Sequence, residues 1–297
     1  MMLAITGAAG FVGRAVVRQL AAQHPEVELL LADREVAGFD GHETLPGDLT
    51  DPAVITALTA PHVDAVLHLA ALPGGAAERD PAASQAINLD VPLALIEAMR
   101  GRRLVIAGSI AVFGGVLPDP VDEATVPTPT SVYGTHKRMV ELAFADAVRR
   151  GAVSGLALRL PGIVARPAAA DGFGSAFLSD LFHAAKVGTP LCVPVAAYAT
   201  SWLMSVRCCA ANLVAAALSE RAAQEAVTLP ALRVTIGDLV AELARHGDVS
   251  GIRFEEIPAT RATFGSYPEL RTPRADALGF RHDGSLTQLV EAVLADL

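Results

Sequence analysis

Tyr133 and Lys137 lie four residues apart in a stretch with helical spacing, so a helix would place both side chains on one face. A tyrosine with its ordinary pKa of about 10 is a poor base at neutral pH, but a nearby ammonium group stabilises the phenolate. A phenolate can take the proton of a hydroxyl group, while Ser109 can hold that hydroxyl and polarise the carbonyl that forms. The three residues together predict proton removal from an alcohol.

The scarcity of lysine supports this interpretation. The chain has only two lysines, Lys137 and Lys186, and three tyrosines, Tyr133, Tyr198 and Tyr267. A Tyr-x-x-x-Lys spacing by itself is usually a solvated helix face. In a sequence so rich in arginine, however, a lysine at this position indicates a requirement that arginine does not meet.

The N-terminal segment has the pattern of a strand, a glycine turn and a helix. An apolar run leads into Gly7, Gly10 and Gly13, and residues 14–20 continue with helical spacing. Gly7 permits a tight turn, Gly10 lets the backbone approach a pyrophosphate, and Gly13 lets the helix pack closely on the strand. Because the N–H groups and dipole of a helix N-terminus favour phosphate, the segment predicts a dinucleotide-binding turn.

Asp33 follows a second buried strand, predicted at residues 27–32, and lies twenty positions after Gly13. A carboxylate at that place accepts hydrogen bonds from the adenosine ribose hydroxyls, which predicts NAD as the cofactor. Taken alone, Asp33 would more commonly be a residue that ends a strand in a turn, and it is the glycines upstream that favour the cofactor role. Arg34 could meet the 2′-phosphate of NADP, but Asp33 would repel that phosphate, so NADP is the second choice.

Strand and helix patterns alternate along the first 160 residues. Strands are predicted at residues 64–71, 103–109 and 156–160, and helices at 51–58, 81–99 and 133–150. This alternation predicts an α/β fold with a Rossmann-type doubly wound parallel sheet. Ser109 falls at the carboxyl end of its strand, the edge at which ligands of such sheets bind.

The pattern changes after residue 160, where prolines and glycines interrupt it. Residues 1–160, with 206–227 and part of the C-terminus, are predicted to form an NAD-binding Rossmann domain. Residues 161–205 and 228–275 are predicted to form a small C-terminal substrate-binding lobe built from inserts, followed by a C-terminal helix within 276–297.

The composition argues against several partners. The net charge of −9 disfavours nucleic acid and anionic membranes, because both require a basic face. No apolar run approaches the roughly 20 residues of a membrane span. No basic segment precedes the first apolar residues, so we expect no membrane association and a cytoplasmic location.

The three cysteines and His68 are predicted to be structural residues of the core. Cys192, Cys208 and Cys209 show no C-x-x-C spacing, so we expect reduced thiols in the core and no metal site. His68, within an apolar strand, is expected to be a core histidine with satisfied hydrogen bonds.

These residues resemble the extended short-chain dehydrogenase/reductases, the NAD-dependent epimerase/dehydratase family. The resemblance covers most of the chain and is carried by residues 6–13, Leu69-Ala70-Ala71, Ser109 and residues 133–137. It implies that Ser109, Tyr133 and Lys137 are catalytic and that Lys137 also holds the nicotinamide ribose. The residues it implies for binding the cofactor or steadying its site are Gly7, Gly10, Phe11, Val12, Gly13, Asp33, Asp48, Leu49, Leu69, Ala70, Ala71, Asn88, Tyr133, Lys137 and Pro161.

Within the family, residues 109–114, 117–123, 158–161 and 202–205 resemble dehydrogenases of four-carbon sugar acids. That resemblance implies NAD-dependent oxidation of the C2 hydroxyl of D-erythronate to 2-dehydro-D-erythronate. The chain departs from the common family pattern at Ala107-Gly108, where hydroxyl residues are more usual, and at Gly162, where threonine is common.

Two other functions stay open. The first is an epimerase or dehydratase of a nucleotide sugar, which would use the same three residues and retain NAD. Many such enzymes have asparagine where this chain has Gly162. The second is a non-catalytic NAD-sensing protein, which the intact set Ser109, Tyr133 and Lys137 disfavours.

An anionic sugar acid in a chain of net charge −9 needs a local cation or a set of donors. Arg207 and Arg166 are the candidate cations, although a solvated surface role is at least as common for an arginine. The residues predicted to contact the substrate are Ser109, Tyr133, Gly75, Ser175, Ser205 and Arg207. The family resemblance also implies a homodimer through the predicted helices 81–99 and 133–150.

Overall fold

The computed structural model of the chain describes residues 1–167 and 174–297, which form two compact units. The first unit comprises Met1–Val112, Pro129–Leu160 and Ala210–Val227. The second comprises Phe113–Thr128, Pro161–Cys209 and Thr228–Leu297.

The strands are numbered in chain order. They are β1 (Met2–Thr6), β2 (Glu28–Asp33), β3 (Glu43–Pro46), β4 (Ala65–His68), β5 (Arg103–Ser109), β6 (Ser154–Leu160), β7 (Gly162–Val164), β8 (Leu191–Val193), β9 (Thr200–Ser205), β10 (Val227–Thr228), β11 (Leu232–Thr235) and β12 (Ile252–Phe254).

The helices are numbered in the same way. They are α1 (Phe11–Gln23), α2 (Pro52–Leu58), α3 (Gly74–Arg79), α4 (Pro81–Gln85), α5 (Val91–Ala98), α6 (Val132–Arg149), α7 (Phe177–Val187), α8 (Val206–Leu218), α9 (Ile236–Leu243), α10 (Pro258–Phe264), α11 (Pro273–Ala277) and α12 (Leu286–Leu294). A π-helical segment, Ala86–Asp90, separates α4 from α5, and a 3₁₀ turn, Ile110–Val112, follows β5.

The sheet of the first unit has the strand order β10-β6-β5-β4-β1-β2-β3, and the pairings from β6 across to β3 are parallel. The order reverses between β1 and β4, so the loops after these two strands face a common crevice. Ligands of doubly wound sheets bind at this point, outside the carboxyl ends of the strands. The predicted Rossmann-type fold is confirmed.

The core explains why these strands are almost continuously apolar. Side chains of β1, β4 and β5 pack with those of α5 and α6 in one buried cluster that includes Val66, Leu104, Ile106, Val140 and Phe144. Helices cover the strands, so there is no solvent-facing set of positions to fill with polar residues.

The predicted helix 81–99 is interrupted. Asp80 caps α4, its carboxylate accepting the N–H of Ala83 at 2.9 Å. Pro92 lacks the N–H that an α-helix would direct to the carbonyl of Asn88, and the chain adopts π geometry at Ala86–Asp90. The interruption falls where Asn88 projects from the helix.

The second unit contains two small sheets, ordered β11-β9-β7 and β12-β8. The C-terminal helix belongs to this unit because Leu289 and Val293 of α12 pack in its core with Phe182 of α7 and Leu239 of α9. Residues 113–128 belong to it as well, because Val121 exchanges backbone hydrogen bonds with Glu269 and Arg271. The sequence-based division had placed both stretches outside the lobe.

The cysteines differ from expectation in one respect. Cys209 is buried and Cys208 partly buried, but Cys192 is exposed, so the expectation that all three lie in the core is wrong for Cys192. It lies on the short edge strand β8, where its thiol donates a hydrogen bond to Glu255 at 3.3 Å. Among the described residues, no helix is long and apolar enough to span a bilayer.

Candidate active site

The turn after β1 is built for close backbone contact. Gly7 has a φ of +67°, and a Cβ atom there would lie 2.8 Å from the backbone nitrogen of Ala70. A Cβ atom at Gly13 would lie 2.2 Å from the carbonyl oxygen of Gly7. These positions therefore require glycine, and the turn packs directly on the loop that follows β4.

The N-terminus of α1 offers donors to an anion. Gly10 is the N-cap and no side chain caps the helix, so the first-turn N–H groups of Phe11, Val12 and Gly13 point outward without helical partners. The arrangement fits the pyrophosphate of a dinucleotide, because no Cβ stands at the cap and the helix dipole favours negative charge.

Asp33 ends β2 beside this turn. One carboxylate oxygen accepts the N–H of Ala9 at 3.0 Å, and the other accepts the N–H of Arg34 at 2.8 Å. Both contacts orient the carboxylate while leaving lone pairs for further donors, which fits the ribose of NAD. Asp48, by contrast, is exposed and accepts the N–H and hydroxyl of Thr50, both at 2.8 Å; these hydrogen bonds lower its pKa.

The ends of β1 and β4 are joined by Thr6 and His68. The Thr6 hydroxyl oxygen accepts the N–H groups of Leu69 and Ala70 at 3.2 and 3.3 Å and lies 2.7 Å from His68 Nδ1. His68 is fully buried, and its Nε2 has no hydrogen-bond partner, so the expectation of a satisfied histidine holds for one ring nitrogen only. Burial, with a smaller contribution from the charge of Lys137, lowers its pKa to about 3, so the ring is neutral.

Asn88 holds the loop that follows β4. Its side-chain oxygen accepts the N–H of Leu72 and its amide donates to the carbonyl of Leu72, both at 2.8 Å. The same amide donates to Ser84 at 3.0 Å, and Ser84 contacts His136 of α6 at 2.9 Å. Asn88 thus steadies the backbone at the switch point through a buried polar network.

Helix α6 is placed closely against the backbone that follows Ser109. Ser131 caps the helix by accepting the N–H of Gly134 at 3.0 Å, and a Cβ atom at Gly134 would lie 2.1 Å from the carbonyl oxygen of Ala111. The Ser109 hydroxyl oxygen accepts the N–H of Ala111 at 3.1 Å. Its hydroxyl hydrogen remains available to a ligand.

Lys137 lies buried between α6 and β5, with 3% of its surface exposed. Its ammonium donates to the carbonyl of Ala107 at 2.9 Å and lies 5.6 Å from the centre of the Tyr133 ring. Burial lowers its pKa to about 8, while the carboxylate of Glu141 opposes the shift. The structure therefore brings Tyr133 and Lys137 together as predicted. The carbonyl that Lys137 contacts belongs to Ala107, two residues before Ser109 on β5.

Two of the predicted substrate ligands, Ser205 and Arg207, are hydrogen-bonded to acidic side chains. Ser205 Oγ donates to Asp283, whose other oxygen accepts the Ser205 N–H at 2.9 Å, and Arg207 forms two hydrogen bonds with Asp296 at 2.7 and 2.8 Å. Both side chains are thus engaged within the second unit, which speaks against their role as carboxylate ligands. The partners Asp283 and Asp296 lie 78 and 89 residues further along the chain, so sequence spacing alone does not reveal these pairs.

Arg166 and Ser175 do come together, with the guanidinium donating to the serine hydroxyl at 3.2 Å. Gly74 begins α3, and a Cβ atom there would lie 4.0 Å from the Cβ of Tyr133, so the start of the helix that also contains Gly75 lies beside the tyrosine. Pro161 follows β6 directly and is buried. No cluster of potential metal ligands occurs in residues 1–167 and 174–297.

The chain is similar to proteins of a known family. Residues 3–218 match the model of the NAD-dependent epimerase/dehydratase family. The chain belongs to this family. Membership confirms the resemblance inferred from the motifs, the enzyme class and NAD as the cofactor.

Two relatives align with nearly the whole chain. D-erythronate dehydrogenase of Cupriavidus necator is 34% identical over 100% of this chain and 98% of its own length. D-erythronate dehydrogenase of Haemophilus influenzae is 29% identical over 98% of each chain. The predicted resemblance to dehydrogenases of this sugar acid is confirmed.

Solved structures agree on the fold. The nucleoside-diphosphate-sugar epimerase of Agrobacterium tumefaciens superposes with a TM-score of 0.88 at 29% identity, covering 100% of this chain and 94% of that chain. A GalE-like L-threonine dehydrogenase from Cupriavidus necator gives a TM-score of 0.89 at 21% identity, covering 100% of this chain and 99% of its own.

Replacing Asp33 by alanine is expected to weaken NAD binding and to narrow the preference for NAD over NADP, because the ribose ligand and its repulsion of a 2′-phosphate are lost together. Titration of both cofactors, followed by NADH or NADPH fluorescence, measures the ratio of dissociation constants. Glu35→Ala, which removes an exposed carboxylate two residues away, is the matched control. An unchanged ratio in Asp33→Ala would remove Asp33 from the ribose site.

Proposed function

We propose that the protein oxidises the C2 hydroxyl of a small sugar acid with NAD, converting D-erythronate to 2-dehydro-D-erythronate. The observation that carries the proposal is the buried ammonium of Lys137, 5.6 Å from the Tyr133 ring and bonded to β5 two residues before Ser109. The substrate is suggested by the two relatives named D-erythronate dehydrogenase, which align with nearly the full chain.

The proton of the C2 hydroxyl passes to Tyr133 in this proposal. The positive charge of Lys137 stabilises the phenolate form of Tyr133, so the phenolate can act as a base near neutral pH. Ser109 donates a hydrogen bond to the same substrate oxygen and stabilises it as it becomes a carbonyl. NAD, when bound, accepts the hydride that leaves C2.

The residues proposed to hold NAD follow from the geometry of the turn and the strand ends. The N–H groups at the start of α1 receive the pyrophosphate, Asp33 receives the adenosine ribose, and Lys137 receives the nicotinamide ribose. Asn88 contributes indirectly, because it fixes the loop beside the turn. Leu69, Ala70 and Ala71 line this loop with small or apolar side chains.

Arg166, rather than Arg207, is the proposed ligand of the substrate carboxylate. The guanidinium of Arg207 is occupied by Asp296, which also raises the pKa of Arg207. Arg166 donates to the hydroxyl of Ser175 and also interacts electrostatically with Asp180. The pair of Arg166 and Ser175 can present both a cation and a hydroxyl donor to an anion.

A nucleotide-sugar epimerase or dehydratase is the second candidate, because the family includes such enzymes and the Agrobacterium tumefaciens structure is named as one. These reactions return the hydride and therefore leave no net NADH.

A homodimer through α5 and α6 is proposed as well, supported by the exposed apolar side chains of Leu93, Met139 and Leu142.

Incubation with a panel of sugar acids and nucleotide sugars should give NADH with D-erythronate at the highest kcat/KM. Tyr133→Phe should lower kcat by about 100-fold or more while NAD still binds, because only the proton acceptor is lost. Activity in Tyr133→Phe within a few fold of the parent would rule out the tyrosine as the base. Turnover of a nucleotide sugar without NADH would favour the second candidate.

Arg166→Lys is expected to raise KM for the sugar acid by about tenfold and leave the NAD dissociation constant unchanged, since an ammonium cannot replace the planar fork of a guanidinium. Arg207→Lys is the matched comparison, because its partner is Asp296. Equal KM values for both variants and the parent would show that other donors hold the carboxylate.

A further inference from the structure

Glu141 is a buried carboxylate one helical turn after Lys137. Its side chain is 2% exposed, and both its oxygens accept hydrogen bonds from Arg159, at 2.8 Å from Nε and 2.9 Å from Nη2. Arg138 adds a third at 3.0 Å. Among the described residues Glu141 is the one acidic residue in the buried set.

The bidentate pair fixes α6 on the sheet close to Ser109. Arg159 lies on β6 opposite Gly108 of β5, and the next pair along is Ser109 with Leu160. Lys137 bonds to Ala107, the residue before Gly108. The two charged side chains of α6 thus bind adjacent rungs of β5 and β6, directly before the rung that carries Ser109.

The carboxylate of Glu141 also compensates the buried positive charge of Lys137. Burial disfavours the ammonium form of Lys137, and Glu141 opposes that effect. The elements packed against α6 carry further charged groups, which are Glu78 and Arg79 on α3, Asp90 on the π segment, Glu97 on α5, Arg103 on β5, Arg159 on β6, and Tyr133, His136 and Arg138 on α6 itself. His68 on β4 interacts electrostatically with Lys137 as well. Glu78 accepts the N–H of Val132 at the helix start, and exposed Glu97 pairs with Arg100.

We propose that Glu141 is a positioning residue for Lys137: clamped by Arg159, it fixes the height of α6 on the sheet, and its charge keeps the buried lysine in the ammonium form. The catalytic consequence rests on the proposed function, in which that ammonium stabilises the Tyr133 phenolate. The effect of Glu141 on the ionisation of Lys137 is independent of the proposed function.

A purely structural ion pair would behave differently. Buried ion pairs are often replaceable by apolar side chains of similar size with little loss of stability, whereas removal of one partner leaves an unpaired buried charge. A Glu141→Met/Arg159→Met double variant should therefore fold, although it lacks both charges of the pair and the clamp that they form. Stability and lysine ionisation are separable in this variant.

The lysine can be observed directly because the chain has only two. Protein labelled with ¹³C at the lysine Cε gives two resonances, and Lys186→Arg identifies the one from Lys137. In Glu141→Gln the pKa of Lys137 should fall by about one unit or more. In the double variant it should fall by less, because the positive charge of Arg159 is removed as well. The exposed Lys186 should titrate unchanged, and Glu141→Asp should restore part of the Lys137 value.

An unchanged Lys137 titration in folded Glu141→Gln would overturn the proposal. Because the titration requires neither substrate nor turnover, the result holds whether or not D-erythronate is oxidised. With D-erythronate as substrate, the double variant should lose at least tenfold in kcat while its melting temperature stays near that of the parent. A double variant that keeps both the kcat and the melting temperature of the parent would also overturn the proposal.

Discussion

The hydrogen bond from the Lys137 ammonium to the Ala107 carbonyl is the interaction on which the site depends. A buried ammonium without a partner is strongly unfavourable, so the bond fixes α6 at one height against β5. Gly134 permits this placement, because the helix backbone comes too close to Ala111 for any side chain. Tyr133 and Ser109 are held relative to each other by these two contacts.

The family departure before Ser109 has a simple physical reading. Ala107 contributes its backbone carbonyl rather than its side chain, so a hydroxyl at that position is not needed to hold Lys137. A Cβ atom at Gly108 would lie 3.1 Å from the carbonyl oxygen of Leu158, which favours the smallest residue. At Gly162, a Cβ atom would lie 2.9 Å from the carbonyl oxygen of Trp202, so the asparagine common in nucleotide-sugar enzymes does not fit this backbone.

Local patterns made much of the fold and part of the site predictable. The glycine turn, Asp33 and the pair Tyr133 and Lys137 each lie within one short segment whose geometry follows from spacing.

Contacts between distant segments could not be predicted in this way. Thr6 and His68 are 62 residues apart, and Arg207 and Asp296 are 89 apart, so their pairing depends on the tertiary fold. Glu141 offered a local signal, since it lies four residues after Lys137 on the same helix face, but its partner Arg159 lies on β6. A charged residue at helical spacing from a buried lysine indicates a compensating ion; its partner becomes known only when the strand is placed.

The most direct test of the central claim follows the hydrogen at C2. D-erythronate carrying deuterium at C2 is incubated with NAD and the purified enzyme, and the masses of the cofactor and the sugar acid are measured. If the hydride leaves C2, NADH gains one deuterium and the oxidised acid retains none. NADH formed without deuterium, or deuterium left entirely in the sugar acid with no NADH, would contradict hydride removal from C2.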